Sequence, residues 1–258
     1  VTYSVNLTDC VGSVEIPDLN AGSYSVVVNS TGNDNFQDIV KITTLDVAKQ
    51  TSKLNLTINN ITYGENAICN VVLTNGNISI PKSNSNETVN VIVNNKSYAV
   101  KLTNGVGSVE IPDLNAGNYT AIGYYNGNEN YMEATDETTF EVKDSKAILN
   151  IEIDNVTYGD IAKVNVTLKG DNNNALNGTV TLTIDNQTYN VTIKNGTGVF
   201  EFSATIPPAD YTVTGVFNQP NYENTSVQTA FTVDPIEITV TNLTTPYGVG
   251  GVVNLSLI

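Results

Sequence analysis

Val-Gly-Ser-Val-Glu-Ile-Pro-Asp-Leu-Asn-Ala-Gly occupies residues 11–22, and the same twelve residues return at 106–117, 95 positions later. Chance does not repeat a string of that length, so the chain carries an internal duplication. The register extends outward from the string. Tyr24 matches Tyr119, Phe36 matches Tyr131 and Val47 matches Val142. A diverged third copy runs from Thr197 through Phe202 and Pro207-Pro208-Ala209-Asp210 to Tyr211, then Asn221-Tyr222 and Phe231-Thr232-Val233. A second landmark recurs at Ile61-Thr62-Tyr63-Gly64, Val156-Thr157-Tyr158-Gly159 and Thr245-Pro246-Tyr247-Gly248, with tyrosine spacings of 95 and 89. A period near 90 is too long for a solenoid unit and fits one small domain.

The residues between the landmarks specify strands. Thr, Val, Ile and Tyr dominate, the residues that suit a pleated, half-buried surface, and no stretch keeps an apolar period of 3.6. The second copy offers strands at 54–59, 66–73, 87–93, 96–102, 106–112, 118–125 and 138–143. The third offers 147–153, 161–168, 178–185, 188–193, 197–205, 210–217 and 227–233. Alternation is clean in Thr179–Ile184 and Tyr189–Ile193, one face apolar and the other polar. Asn94-Asn95, Asp185-Asn186, Asn104-Gly105 and Asn195-Gly196 are the residues that tolerate the positive φ of tight hairpins. About seven short strands per copy predict an all-β protein of tandem immunoglobulin-like β-sandwiches in an elongated array.

Leu114-Asn115-Ala116-Gly117-Asn118-Tyr119, echoed from Leu19 to Tyr24, resembles a tyrosine corner, in which a Tyr hydroxyl bonds the backbone a few residues upstream; Tyr24, Tyr119 and Tyr211 are its candidates. In the register of the repeat Val1 aligns with Lys96. The expected division is therefore 1–48 as the C-terminal part of a domain, 49–143 and 144–234 as complete domains, and 235–258 as the first strands of another. The protein is then expected to continue in both directions, or else its end pieces complete one another between copies.

Gly117-Asn118-Tyr119 to Tyr125-Asn126-Gly127-Asn128-Glu129-Asn130-Tyr131, closing at Phe140-Glu141-Val142, resembles the closing motif of prokaryotic Ig-like repeat domains. The third copy departs from it, with Asn218-Gln219-Pro220 in place of the glycine turn. Together with the Asn/Thr-rich, arginine-free composition, the chain is similar to the large adhesin-like surface proteins of methanogenic archaea. The resemblance implies an extracellular, cell-surface array that spaces a head domain from the wall. It brings no catalytic residues.

Seventeen Asn-x-Ser/Thr acceptors occur among 38 Asn and 48 Ser plus Thr in 258 residues, where random placement gives about seven. Asn95, Asn186 and Asn195 at hairpin tips, with Asn29 and Asn177, are the candidate glycosylation sites. The competing reading is that Asn and Thr alternate because turns and strands favour them.

Eleven Lys, no Arg and 26 Asp plus Glu give a net charge of −15. Such a surface repels phosphate backbones and anionic bilayers, so neither nucleic acid nor a membrane surface is an expected partner, and no segment is long and apolar enough to span a bilayer. With no His, the chain lacks the usual neutral-pH base and the commonest zinc and copper ligand; no enzymatic activity is expected. Cys10 and Cys69 fall in different copies, so no disulfide staples a sandwich. Asn33-Asp34-Asn35 with Asp38, and Glu129-Asn130 with Glu133, are oxygen-rich loops of the kind Ca²⁺ uses, but they lack regular ligand spacing and read better as solvated acid. The leading functional reading is a structural stalk or fibre segment whose partners are neighbouring Ig-like domains. The alternatives are a module that binds a glycan or protein of a host or cell surface, and a self-polymerising filament subunit joined by complementary partial domains.

Overall fold

The computed structural model describes residues 1–75, 87–240, 247–250 and 255–257. Among these residues there is no helix. The first copy contributes β1 (Gly22–Ser30) and β2 (Ile39–Val47). The second contributes β3 (Lys53–Ile58), β4 (Ile61–Thr62), β5 (Ala67–Thr74), β6 (Thr88–Val93), β7 (Lys96–Lys101), β8 (Val106–Ile111), β9 (Gly117–Tyr125) and β10 (Ala134–Lys143). The third repeats that order as β11 (Ala147–Ile153), β12 (Val156–Thr157), β13 (Ile161–Gly170), β14 (Gly178–Ile184), β15 (Gln187–Ile193), β16 (Thr197–Ser203), β17 (Ala209–Phe217) and β18 (Thr225–Asp234). β19 (Ile238–Val240) and β20 (Leu255–Leu257) pair antiparallel.

The second and third copies each build the same two sheets. One has three strands, ordered β3-β5-β8 and β11-β13-β16. The other has five, ordered β4-β10-β9-β6-β7 and β12-β18-β17-β14-β15. This is the two-sheet arrangement of an immunoglobulin-like sandwich. Its cause is the period-two pattern: β5 alternates at Ala67, Cys69, Val71 and Leu73, all 0 % exposed, with more exposed neighbours. In the third copy Ile151, Val164, Val166 and Leu168 from one sheet meet Val180, Leu182, Val213, Phe217 and Phe231 from the other in a single core. Each such aliphatic or aromatic side chain contributes about 1.5–3 kcal/mol on leaving water. Gly215 marks a point of close approach between the sheets, since a Cβ there would stand 2.2 Å from Ile151 Cδ1.

The hairpin turns take the conformation their residues favour. Asn94 and Asn95 have φ of 49° and 60°, and Asp185 and Asn186 have 45° and 61°, the left-handed pair of a primed two-residue turn.

Two features differ from the sequence reading. The first two Tyr-Gly landmarks are preceded by short strands that the sequence did not reveal: β4 pairs parallel with the end of β10, Ile61 opposite Val142, and β12 does so with β18, Val156 opposite Val233. Two residues are too few to show a period, and it is the neighbouring final strand that makes them extended. The first copy, whose Val1 aligns with Lys96 at the start of an expected strand, forms none before Gly22, only an isolated bridge between Thr8 and Val11. Its β1–β2 hairpin leaves Val27, Val28, Ile39, Val40 and Ile42 more than half exposed.

Contact density divides the described residues into two compact units. One comprises Val1–Asn60, Asn66–Asp113 and Asn118–Glu141; the other comprises Ile61–Glu65, Leu114–Gly117 and Val142–Ile258. The second unit thus takes in, with the third copy, the Tyr-Gly turn and the Leu-Asn-Ala-Gly loop of the second.

Candidate functional site at the repeat joints

Each copy carries a tight turn before its last strand. In the second copy Asn128 Oδ1 accepts the N–H groups of Asn130 at 2.8 Å and Tyr131 at 2.9 Å. In the first, Asn33 Oδ1 accepts those of Asn35 at 2.9 Å and Phe36 at 3.1 Å. A short amide side chain bonding its own backbone two and three residues on is the local device that makes Asn a turn residue. Gly127, at φ 72°, precedes this turn because a Cβ there would stand 2.7 Å from the Tyr131 carbonyl oxygen. The third copy replaces the pair with Asn218 and Gln219, and there the Gln219 backbone carbonyl accepts the Tyr222 N–H at 3.2 Å, with Asn221 at φ 73°.

The incoming chain straps down the turns of the second and third copies. Gln50 N–H donates to the Asn130 carbonyl and its own carbonyl accepts the Met132 N–H, both at 2.9 Å; Ser145 does the same with Asn221 and Glu223, both at 2.9 Å.

Against these turns lie the Leu-Asn-Ala-Gly loops. In the first unit, Ala21 N–H donates to Asn130 Oδ1 at 2.8 Å and Asn130 Nδ2 donates to Asn20 Oδ1 at 3.0 Å. In the second unit, Ala116 N–H donates to Asn221 Oδ1 at 2.8 Å and Asn221 Nδ2 donates to Asn115 Oδ1 at 3.3 Å. One Asn amide therefore uses its acceptor and its donor together, and the same pairing occurs twice. The Tyr63 ring meets Tyr222 edge to face at 5.6 Å, and Tyr222 meets Phe217 at 5.6 Å. Each hydrogen bond contributes about 0.5–1.5 kcal/mol net, and an edge-to-face pair about as much again. Burial, and then the neighbouring Tyr63, push the Tyr222 phenol upward from its ordinary value. Beside this contact lies a polar cleft of about 490 Å³ lined by Tyr63, Glu65, Ser145, Asp171, Asn174 and Tyr222.

The three tyrosines singled out by the sequence sit beside these loops. Tyr24 Oη donates to the Asn20 carbonyl at 2.8 Å, and Tyr211 Oη donates to the Pro207 carbonyl at 2.7 Å, each four residues back. The Tyr119 ring stacks on Phe140 at 5.6 Å.

All thirteen acceptor asparagines within the described residues are exposed; Asn77, Asn86, Asn242 and Asn254 lie outside them. Asn95, Asn186 and Asn195 stand in left-handed turns, Asn29 is on β1, and Asn177 Oδ1 accepts the Asn195 N–H at 2.7 Å. Other acceptor asparagines are likewise bonded within their own sandwich: Asn60 Oδ1 accepts the Glu141 N–H at 2.8 Å, Asn155 Oδ1 the Thr232 N–H at 2.9 Å and Asn190 Oδ1 the Thr181 hydroxyl at 3.1 Å. In the acidic loops, an Asp38 carboxylate oxygen accepts the Gly32 N–H at 2.6 Å, and Asn33 is spent on its turn.

The sequence reading missed Asn130 and Asn221 as joint residues and Asn60 and Asn155 as strand caps. The signal was present in both cases, an Asn just before the aromatic of the closing turn and an Asn just before Ile/Val-Thr-Tyr-Gly. Neither pattern names the partner it bonds.

No family model matches the chain, and no curated protein matches it. Among solved structures it is similar to the titin domains Z1Z2 in complex with telethonin, at 13 % identity and TM-score 0.40, covering 73 % of this chain and 99 % of that one. It is also similar to the Yersinia pseudotuberculosis adhesin InvE, at 11 % identity and TM-score 0.35, covering 69 % and 58 %, and to the Escherichia coli adhesin FdeC, at 15 % identity and TM-score 0.32, covering 74 % and 67 %. At these identities the likeness says nothing of what the chain does; it is the pair of sheets repeated in the second and third copies that makes it a tandem of immunoglobulin-like β-sandwiches.

Proposed function

We propose that the chain is a spacer segment of an extracellular, adhesin-like surface protein, divided into repeats at 1–48, 49–143, 144–234 and 235–258. The observation that supports this reading is the joint: the same Asn amide meets the same loop at two successive repeats. A chain whose repeats hold one another by recurring contacts is suited to carrying a head domain at a set distance. Its partners are then the neighbouring repeats, its exposed asparagines carry glycans that shield the strand faces, and it performs no catalysis. The test is surface shaving of intact source cells: protease added outside releases peptides of 49–234, and the acceptor peptides carry glycan mass. Release only after lysis would overturn the surface assignment.

A second reading, self-association, is favoured by one observation, the exposed apolar β1–β2 hairpin, because an open sheet edge with apolar faces is a template for another chain. Light scattering that shows mass rising with concentration supports it, and a constant monomer mass removes it.

A further inference from the structure

Each repeat presents two different ends. One carries an Asn-aromatic turn, at Asn35-Phe36, Asn130-Tyr131 and Asn221-Tyr222. The other carries, in the first two copies, the loop Leu19–Gly22 or Leu114–Gly117, which in the second copy falls in one compact unit with the Tyr63-Gly64 turn. Where a loop meets a turn, the donors and acceptors are the same both times, at 2.8 and 3.0 Å in one joint and 2.8 and 3.3 Å in the other.

We propose that the Leu-Asn-Ala-Gly loop is a docking socket for the Asn of the following repeat's closing turn, and that the repeat of 144–234 keeps the plug but has lost the socket. The socket offers one backbone N–H and one amide oxygen, so it selects a side chain that accepts at one atom and donates at the next. Asn meets this requirement. Asp lacks the donor and would set a carboxylate against the amide oxygen of Asn20 or Asn115. Gln reaches one methylene too far for a turn held at both neighbours by the strap.

The loss in the third copy follows from its sequence. Tyr211 Oη bonds the carbonyl of Pro207 as Tyr24 Oη bonds that of Asn20, which aligns Ile206-Pro207-Pro208-Ala209 with Leu114–Gly117. Pro208 therefore stands where Ala116 donates, and proline has no N–H. Pro207 stands where Asn115 supplies its amide oxygen. A repeat that follows Pro235 is not held by this clamp. The clamp is a code carried by the loop, present after two repeats and erased after the next. This inference rests on the tandem-repeat reading but not on where the protein resides, so its failure leaves the surface assignment untouched.

The test is amide hydrogen exchange of the whole chain followed by NMR. Ala21 and Ala116 are expected to exchange at least tenfold slower than a free loop amide. Asn221→Ala is expected to restore fast exchange at Ala116 and leave Ala21 protected; Asn130→Ala is expected to do the reverse. Asn221 has a positive φ, so Asn221→Gly, which removes the amide without backbone strain, is the second variant and is expected to match Asn221→Ala. Protection of Val164 and Val166 in β13 reports that the sandwich remains folded. Fast exchange at Ala116 in the unaltered chain, or no change at Ala116 in either Asn221 variant, overturns the clamp.

Discussion

Tyr125→Phe is expected to stabilise this protein. Tyr125 ends β9 at 2 % exposure, and no group among the described residues bonds its hydroxyl. Burial, and then the nearby Glu87 carboxylate, push the phenol far above its ordinary value. That carboxylate acts on the phenol through its charge, while its Oε1 accepts from Asn128 Nδ2 at 2.7 Å. A buried hydroxyl left without a partner costs about 1–3 kcal/mol. A gain near the lower end, about 1 kcal/mol, is expected when the oxygen is removed. The third copy already has this solution, with Phe217 at the matching position and 0 % exposed. For a sandwich of this size, 1 kcal/mol raises Tm by about 4–8 °C, readable by scanning calorimetry at pH 7. The pH dependence gives a second readout. A phenol whose folded value lies above its unfolded value keeps its proton longer when folded, so its contribution is complete below pH about 10 and is lost as pH rises further. The Phe variant should lack that part of the alkaline loss. A fall in Tm of several degrees at pH 7 would refute the reasoning, because it would mean that the hydroxyl is bonded and stabilising.

Further predictions concern the thiols and the caps. Burial pushes the Cys69 thiol from 9.0 to about 11; by the same sign, the folded state loses stability as pH rises from 9 towards 11, by about 3 kcal/mol in all. Cys69→Val, which copies Val164 of the next sandwich, should flatten that fall in an alkaline denaturation series while leaving pH 7 stability within about 1.5 kcal/mol. Iodoacetamide at pH 8 on the folded chain should label exposed Cys10 and spare buried Cys69 until denaturant is added, as mass spectrometry of the peptides will report. Asn60→Ala and Asn155→Ala should each cost about 0.5–1.5 kcal/mol in urea unfolding by freeing the Glu141 and Thr232 N–H groups; losses below a few tenths would mean that these bonds are replaced by solvent.

Much of the fold was legible because each complete copy contains its own strands, turns and alternation. The core positions of β5, β6, β13 and β14 follow from a period of two, and the hairpins from Asn-Asn, Asp-Asn and Asn-Gly pairs. The joints were less legible. A residue such as Asn221 has the same local chemistry as any turn asparagine, and its importance comes from a loop more than a hundred positions away.

The duplicated twelve residues separate the two kinds of information. In both copies Asp18 and Asp113 adopt φ of 59° and 60°, Gly22 and Gly117 adopt 154° and 148°, and the turns before them, Asp9-Cys10 and Asn104-Gly105, take left-handed values alike. These conformations belong to the residues themselves, because steric limits and short side-chain bonds act within a few positions. Yet Val106–Ile111 is a strand laddered onto Ala67–Val72, with Ile111 fully buried, whereas the identical residues 11–16 form no strand, leaving Val14 exposed and Ile16 only half-buried. A strand's hydrogen bonds and its buried face are supplied by a neighbour, and only the copy that has β5 beside it obtains them.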